Sequence, residues 1–473
     1  MKKIMALLHP FLLLSGIVAS QTKPNIVFIL ADDLGYGDLS CYGQQKFTTP
    51  NIDKLAASGM RFTQFYAGTS VCAPSRSSLL SGLHTGHSFI GGNKEIYPEG
   101  QEPIADSVYT IAENLKRAGY VTGAFGKWGL GFVGTEGDPV KQGFDFFYGY
   151  NCQRQSHRYY PGHLWRNDAK EILKGNDELK HQVTYAPDLI QQEALSFIDA
   201  QKDHPFFLFL PYILPHAELV VPRDSIFTRF ENKFSETVYK GQDYGDSATA
   251  MGYVSQAKPH ATFAAMVTRL DLYVGQVMQK LKTLGLDKNT LVIFSSDNGP
   301  HNEGGADPAF FNGSGGLRGI KRDLYEGGIR VPFIASFPGK IKAGSSNDHI
   351  GAFWDLFPTF SGVAGIKNNI HTDGISFWPA LSGQGSQPGH AYLYWEFHEM
   401  GGRQAVRQGK WKGIKLKVKT TSPVFELYDL EQDKAETTNL AARYPEVVKK
   451  LSKLIETAHQ ENSTFPLLSH NSN

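Results

Sequence analysis

The chain has 473 residues, of which 41% are hydrophobic and 12% aromatic, enough for one large core with a smaller domain beside it. This composition excludes a disordered or fibrous protein. Lysine and arginine number 47 against 46 aspartates and glutamates, a formal net charge of +1. Without a basic field we expect no nucleic-acid partner and no attraction to an anionic membrane surface, so an anionic ligand would need a local cluster of cations.

The first 20 residues have the pattern of a secretory signal peptide. Lys2 and Lys3 precede an apolar stretch over residues 4–18, and two small residues follow it. This stretch is shorter than the roughly 20 residues that span a bilayer, and no cysteine comes directly after it to carry a lipid. We therefore predict a signal peptide over residues 1–20, a mature chain without a membrane anchor, and export to the periplasm or the extracellular space.

Apolar runs that end in polar residues recur along the chain and alternate with helical patterns. The predicted strands cover residues 26–30, 120–125, 206–210 and 291–294, and the predicted helices between them include residues 111–118 and 263–284. This alternation indicates an α/β sheet, in which ligands bind beyond the carboxyl ends of the strands. Because Asp, Asn, His or Lys follows each run, four distant segments could share one pocket.

A stretch rich in Gly, Ser and Gln, residues 382–390, reads as a linker. We predict a catalytic domain over residues 21–381 and a C-terminal α+β domain over residues 382–473. The smaller domain contains a terminal helical pattern at residues 445–458. Its strand patterns cover residues 392–397, 404–406, 411–416 and 425–428.

Two pairs of oxygen-bearing side chains follow two of the predicted strands. Asp32 and Asp33 come after the first strand, and Asp297 and Asn298 come after the strand at residues 291–294. Oxygen donors suit a hard cation such as Ca²⁺ or Mg²⁺, whereas zinc would favour His and Cys. One such pair alone would be read as a turn cap. Two pairs at two strand ends favour a cation site.

Cys72 lies in the most distinctive segment of the chain. Pro74 suits the first turn of a helix and Gly82 suits its end, so Cys72 is predicted just before a helix N-terminus. Free N–H groups and the helix dipole favour an anion there, and Arg76 adds a positive charge one turn into the helix. The ordinary alternative is a buried structural cysteine.

The Cys-x-Pro-x-Arg pattern that begins at Cys72 resembles the signature of type I sulfatases, members of the alkaline phosphatase superfamily in which this cysteine is oxidised to formylglycine. Further segments resemble the family in the same order: Asp32-Asp33, Gly126-Lys127-Trp128, Pro215-His216, Asp297-Asn298-Gly299, Leu317 to Lys321 and Glu326 to Pro332. The resemblance implies a sulfuric ester hydrolase. It also implies a large domain with a central mixed sheet flanked by helices, and a small domain with an antiparallel sheet and one helix.

The resemblance further implies a role for each matching residue. Calcium, or magnesium, would be held by Asp32, Asp33, Asp297, Asn298 and the modified Cys72. The reaction itself would use Arg76 to orient the hydrated aldehyde, Lys127 and Lys321 to bind sulfate oxygens, and His216 to contact the bridging oxygen and protonate the departing alcohol. The modification of Cys72 would require a formylglycine-generating enzyme as a partner.

The chain departs from the family pattern after Gly126-Lys127-Trp128, where many sulfatases carry His and this chain has Gly129. That His is thought to assist expulsion of sulfate. His157, in the next polar segment, is a candidate substitute because of its position alone. A surface or structural role for His157 is the alternative.

Polar and aromatic residues on predicted loops could frame a sugar. The candidates for substrate binding are His157, Arg158, His301, Glu396, His398 and Arg403. Any one of them alone would be read as packing or surface. Together they resemble the exported, polysaccharide-degrading branch of the family, which implies a sulfated oligo- or polysaccharide substrate such as a galactan or glycosaminoglycan fragment.

Two other functions fit the sequence. A phosphoester or phosphonate hydrolase of the same superfamily could share the fold, the cation site and even formylglycine. A sulfated-glycan binding protein without activity is suggested by Gly129, and the intact pattern at Cys72 argues against it. Comparing hydrolysis of a sulfate and a phosphate ester of one alcohol would separate the first alternative from a sulfatase.

Overall fold

The computed structural model describes residues 23–177, 180–243, 252–367 and 370–468. The predicted signal peptide, residues 1–20, lies outside the described residues. None of the helices within these four stretches is long and apolar enough to cross a membrane.

The strands, in chain order, are β1 Asn25–Ala31, β2 Met60–Phe62, β3 Phe65–Tyr66, β4 Glu95–Ile96, β5 Gly100–Gln101, β6 Val121–Lys127, β7 Phe146–Tyr150, β8 His163–Arg166, β9 Ala169–Ile172, β10 Phe206–Pro211, β11 Thr290–Ser296, β12 Phe333–Ser336, β13 Ser345–Asn347, β14 Gly351–Ala352, β15 Leu393–Phe397, β16 Arg403–Gln408, β17 Trp411–Leu416 and β18 Val424–Asp429. The apolar runs predicted as strands correspond to β1, β6, β10 and β11.

The large sheet has ten strands in the order β13-β2-β12-β11-β1-β10-β6-β7-β8-β9. Its centre, from β11 to β7, is parallel, and antiparallel pairs flank it on both sides. Strands β1, β10 and β11 are buried along their whole length. Buried faces on both sides explain why these segments are continuous apolar runs without polar alternation.

The helices, in chain order, are α1 Pro50–Ser58, α2 Cys72–Ser81, α3 Ile111–Arg117, α4 Ala186–Ala200, α5 Ser225–Thr228, α6 Pro259–Thr283, α7 Pro308–Phe311, α8 Glu326–Ile329, α9 Leu356–Val363, α10 Trp378–Ser382 and α11 Pro445–Ala458. Helices α1, α4 and α6 cover one face of the large sheet, and α2, α3 and α9 cover the other. Helix α2 ends at Gly82, whose φ of 71° is the left-handed conformation that glycine adopts without strain.

The C-terminal part contains the antiparallel sheet β15-β16-β17-β18, against which α11 packs. Helix α11 turns the apolar residues Leu451, Ile455 and Ala458 inward, at the spacing of one helical face. A separate four-stranded sheet beside a large mixed sheet flanked by helices confirms the predicted fold class. The domain boundary at residue 382 stays a prediction.

A buried ion network joins the small sheet to the large domain. Lys412 of β17 lies 2.9 Å from the Glu326 carboxylate at the start of α8 and 3.0 Å from that of Glu436, and the side chains of all three are fully buried. Removing one member of such a network would leave an uncompensated buried charge, which typically costs about 3–5 kcal/mol. The two parts are therefore fixed to each other by charge as well as by apolar packing.

Candidate active site

Four oxygen-bearing side chains meet where β1 and β11 end side by side in parallel register. Asp32 and Asp33 follow β1, Asp297 and Asn298 follow β11, and all four are fully buried. The Asp33 N–H donates to Asp297 Oδ1 at 3.0 Å, and Asn298 Nδ2 donates to Asp33 Oδ1 at 2.7 Å. The two predicted pairs therefore form one cluster.

Cys72 is the first residue of α2, which points its N-terminus at this cluster. The thiol Sγ lies 3.3 Å from Asp32 Oδ1 and 3.9 Å from Asp33 Oδ1. Burial, together with the neighbouring Asp32, raises the pKa of the Cys72 thiol well above its usual value. An unmodified thiol would therefore stay protonated and be a poor nucleophile, because reactivity belongs to the thiolate.

Each buried carboxylate has a different nearest cation, and these three cations come from three segments. Arg76 of α2 donates to Asp297 Oδ2 through Nε at 3.0 Å and Nη2 at 2.8 Å. Lys127 at the end of β6 lies 2.8 Å from Asp32, and Lys321 lies 2.8 Å from Asp33.

These contacts set the protonation states of the cluster. Burial alone would raise the pKa of Asp32, but Lys127, His216 and Arg76 hold it below its usual value. Burial and the neighbouring Asp32 raise the pKa of Asp297 to about 7 in spite of Arg76. Full ionisation of the carboxylates would be favoured by additional positive charge.

The cluster fits a hard cation. Asn298 Oδ1 is buried and has no hydrogen-bond partner among the described residues, which leaves it available as a ligand. The carboxylates of Asp32, Asp33 and Asp297 add oxygen donors, as Ca²⁺ and Mg²⁺ require.

Three histidine rings form a stack beside this cluster. His216 lies between His157, with ring centroids 4.7 Å apart, and His301, at 5.7 Å. His216 Nδ1 donates to the Ala217 carbonyl, and Nε2 lies 3.0 Å from Lys321 Nζ. Burial and the nearby Lys321 lower the pKa of His216 to about 4, so its ring is neutral near pH 7 and Nε2 accepts a hydrogen bond from Lys321.

Comparison with known protein families identifies this arrangement. The family model described as Sulfatase matches residues 24–366. The chain belongs to the sulfatase family. A second family model, described as N-sulphoglucosamine sulphohydrolase, C-terminal, matches residues 319–461. Since its relatives are sulfatases, the protein is a sulfuric ester hydrolase, as predicted.

Two curated relatives and one solved structure show how far the similarity of this sulfatase extends. Arylsulfatase A of Homo sapiens is 34% identical over 493 aligned residues, covering 94% of this chain and 89% of the relative. An N-acetylgalactosamine-6-O-sulfatase of Bacteroides thetaiotaomicron is 30% identical, with 93% of each chain covered. The crystal structure of Ps i-CgsB in complex with k-i-k-neocarrahexaose has a TM-score of 0.74 at 28% identity, covering 93% of this chain and 94% of that chain.

The predicted substrate-binding residues fall into two groups. His157 and His301 stack on His216 and so border the cluster. Arg158 is buried near them, with Nη1 3.1 Å from Glu218 Oε2. His157 and His301 therefore border the cluster, and a role in substrate binding stays a prediction for all three residues.

The other three predicted residues belong to the C-terminal sheet. Glu396 accepts hydrogen bonds from Tyr394 at 2.7 Å and makes ionic contacts with His398 at 2.9 Å and His459 at 2.7 Å. Arg403 lies 2.5 Å from Asp323 Oδ1 and also donates to the Arg322 carbonyl, which ties the small sheet to the loop that carries Lys321. A role in substrate binding stays a prediction for Glu396, His398 and Arg403.

Two residues at the sulfatase site were missed by the sequence reasoning. Glu303 Oε2 lies 2.9 Å from Lys321 Nζ, and its Oε1 accepts from Arg322 at 2.6 Å. Tyr253 packs against the His157 ring at 5.4 Å. Glu303 follows Asn298 by only five residues, so its place in the loop after β11 was an available signal.

We expect Lys321→Ala to lower kcat/KM for sulfate ester hydrolysis by about 10²–10³, or roughly 2.7–4 kcal/mol, because one preorganised cation beside the reacting group is removed. Sulfate release measured against substrate concentration checks this. Lys340→Ala, which changes an exposed lysine, is the control. Near-normal turnover by Lys321→Ala would show that Lys321 does not take part in the reaction.

Proposed function

We propose that this sulfatase removes sulfate from a sulfated saccharide through a formylglycine made from Cys72, with calcium bound beside it. The observation that carries the proposal is the position of Cys72, at the N-terminus of α2 and in contact with Asp32 and Asp33. A helix N-terminus stabilises negative charge, and Lys127 and Lys321 flank the same carboxylates.

Burial raises the pKa of the Cys72 thiol well above its usual value, so the unmodified side chain offers little thiolate to act as a nucleophile. Once formed, the hydrated aldehyde supplies two hydroxyl groups, one to attack sulfur and one whose loss of a proton releases sulfate and restores the aldehyde. A serine would instead leave a stable sulfate ester. Arg76 is held by Asp297 and by the Lys127 carbonyl, 2.8 Å from Nη1, and so is fixed one helical turn from residue 72.

Calcium would be held by Asp32, Asp33, Asp297, Asn298 and residue 72. When bound, it supplies positive charge that stabilises the sulfate group and the hydrated aldehyde as negative charge develops. The protein's own contribution is the fixed geometry: the Asp33 N–H and the Asn298 amide group orient the carboxylates before any ligand binds.

The lysines and His216 complete the proposed chemistry. Lys127 and Lys321 bind sulfate oxygens and neutralise their charge in a buried setting, where such contacts are strong. His216 contacts the bridging oxygen, and because its ring is neutral, the proton taken up by the departing alcohol comes from Lys321 and passes through His216 Nε2. The alkoxide of a sugar is a poor leaving group, so this proton matters more than it would for an aryl ester.

The substrate class rests on relatives and on the chemistry of the site. One relative is named as an N-acetylgalactosamine-6-O-sulfatase, and a similar structure contains a neocarrahexaose. We therefore propose a galactan or glycosaminoglycan fragment as substrate. The predicted signal peptide supports export to the periplasm or the extracellular space, and a formylglycine-generating enzyme would act as the maturation partner.

Peptide mass spectrometry across Cys72, on protein made in a host competent for formylglycine formation, tests this function together with sulfate release from a panel of sulfated oligosaccharides. We expect conversion of Cys72 to the aldehyde and release of sulfate from at least one saccharide. The phosphate ester of an alcohol whose sulfate ester is cleaved should react far more slowly. An unmodified Cys72 in that host, or faster phosphate release, would contradict the proposal.

Removal of divalent cations should lower both activity and the thermal midpoint, because the buried carboxylates lose their shared counter-charge. We expect EGTA treatment to abolish sulfate release and added Ca²⁺ to restore it. In Asn298→Ala the midpoint should respond much less to Ca²⁺. A midpoint and activity that do not change, in protein shown by elemental analysis to be free of metal, would refute the cation site.

His157→Ala should lower kcat/KM if His157 replaces the histidine that the family carries at the position of Gly129. Loss of a general acid or base typically costs about 10²–10⁴ in rate. His163→Ala is the matched control, since His163 lies in the following strand and contacts Glu99 at 2.9 Å. Full activity of His157→Ala would end this hypothesis and leave His157 as a packing partner of His216.

A further inference from the structure

Gly129 leaves a space that another side chain fills. Its φ of 78° is left-handed, and a Cβ added to Gly129 would lie 2.9 Å from Nε2 of Gln153. A larger residue at position 129 would therefore displace the Gln153 carboxamide or be displaced by it. The two positions share one volume, and in this chain Gln153 occupies it.

The Gln153 carboxamide has an unused donor. The residue is 5% exposed, and its Nε2 is buried without a hydrogen-bond partner among the described residues. Both polar atoms of the neighbouring Asn151 side chain are also buried without a hydrogen-bond partner among the described residues. A buried donor without a partner costs about 1–3 kcal/mol, so proteins rarely keep one unless something else binds it.

On one side, this carboxamide borders the strand that carries Lys127. Strands β6 and β7 run parallel with Lys127 beside Tyr150, and past their ends the Gly129 N–H donates to the Asn151 carbonyl at 3.0 Å. Gly129 is two residues beyond Lys127. Gln153 Nε2 therefore lies beside a backbone position that is two residues from the cation proposed to bind sulfate.

On the other side, Gln153 connects to the segment that supports α2. Its N–H donates to Gln101 Oε1 at 3.2 Å, and Gln101 Nε2 donates to the Lys94 carbonyl at 2.9 Å. The adjacent Asn93 accepts from the N–H of Ala73, the residue after the proposed nucleophile, at 3.1 Å. Gln153 is thus held between the two segments that carry Lys127 and residue 72.

We propose that Gln153 binds the sulfate group of the substrate, with Nε2 donating to a sulfate oxygen beside Lys127. This inference rests on the proposed function and adds to it a neutral donor. A carboxamide suits this place because it donates without adding charge to a cluster whose carboxylates and cations are already paired. It neither gives nor takes a proton at neutral pH, so its effect is on binding and on charge stabilisation.

The test compares Gln153→Glu, which keeps the shape and replaces the donor with a carboxylate, and Gln153→Met, which keeps the approximate volume and removes the donor. Gln155→Glu is the matched control, because Gln155 lies two residues away and contacts His163 instead. For each protein, with formylglycine verified, kcat/KM is measured with 4-nitrophenyl sulfate, and Ki is measured for inorganic sulfate. Far-ultraviolet circular dichroism and thermal midpoints establish folding.

We expect Gln153→Met to lose about 10-fold to 100-fold in kcat/KM and Gln153→Glu to lose more, with Ki for sulfate rising in the same order and the control close to the wild type. Activity and Ki of both variants within about threefold of the wild type would overturn the inference. If the wild type with verified formylglycine releases no sulfate, the proposed function is refuted, but the inference about Gln153 is not yet decided. Calorimetric titration of inorganic sulfate into the wild type and Gln153→Glu then decides, and equal or absent binding overturns the inference.

Discussion

Asp32, Asp33 and Asp297 are fully buried where β1 and β11 end side by side, and each needs positive charge to remain ionised there. Arg76, Lys127 and Lys321 meet that need from three other segments. Loss of one such partner would leave a carboxylate buried without compensation, which is strongly unfavourable. This electrostatic constraint determines where α2, the end of β6 and the Lys321 loop must lie. The same pairing places carboxylate oxygens, which the proposed cation requires, beside the positive charges that the proposed sulfate group requires.

The remaining architecture holds those segments in place. The parallel centre of the sheet brings the ends of β1, β11, β10 and β6 to one edge, so side chains distant in the chain become neighbours. The small sheet adds a second support, since Arg403 holds the loop of Lys321 and Lys412 holds the start of α8. The C-terminal part therefore contacts the loop that carries Lys321 as well as the start of α8.

The residues that the sequence identified are those with local signals. Continuous apolar runs predicted the buried strands. A proline in the first turn and a glycine at the end predicted the helix that begins at Cys72. Gln153 carries no such signal, because its role depends on Gly129 in another segment, whereas Glu303 does have one, its place in the loop that follows β11. Glu396 was predicted to bind substrate, and that role stays a prediction; the structure shows its carboxylate in contact with His398 and His459.

The sequence by itself determined the alternation of strands and helices, the oxygen donors after two strands, and the family pattern around Cys72, because these depend on residue type and short spacing. Only the tertiary structure decided which cation pairs with which carboxylate, that His157 stacks on His216, and that Gln153 fills the space beside Gly129. The physical reason is that pairing and packing depend on distances in space between segments that are separated in the chain. Those distances follow from the order and register of the sheet, which local patterns do not specify.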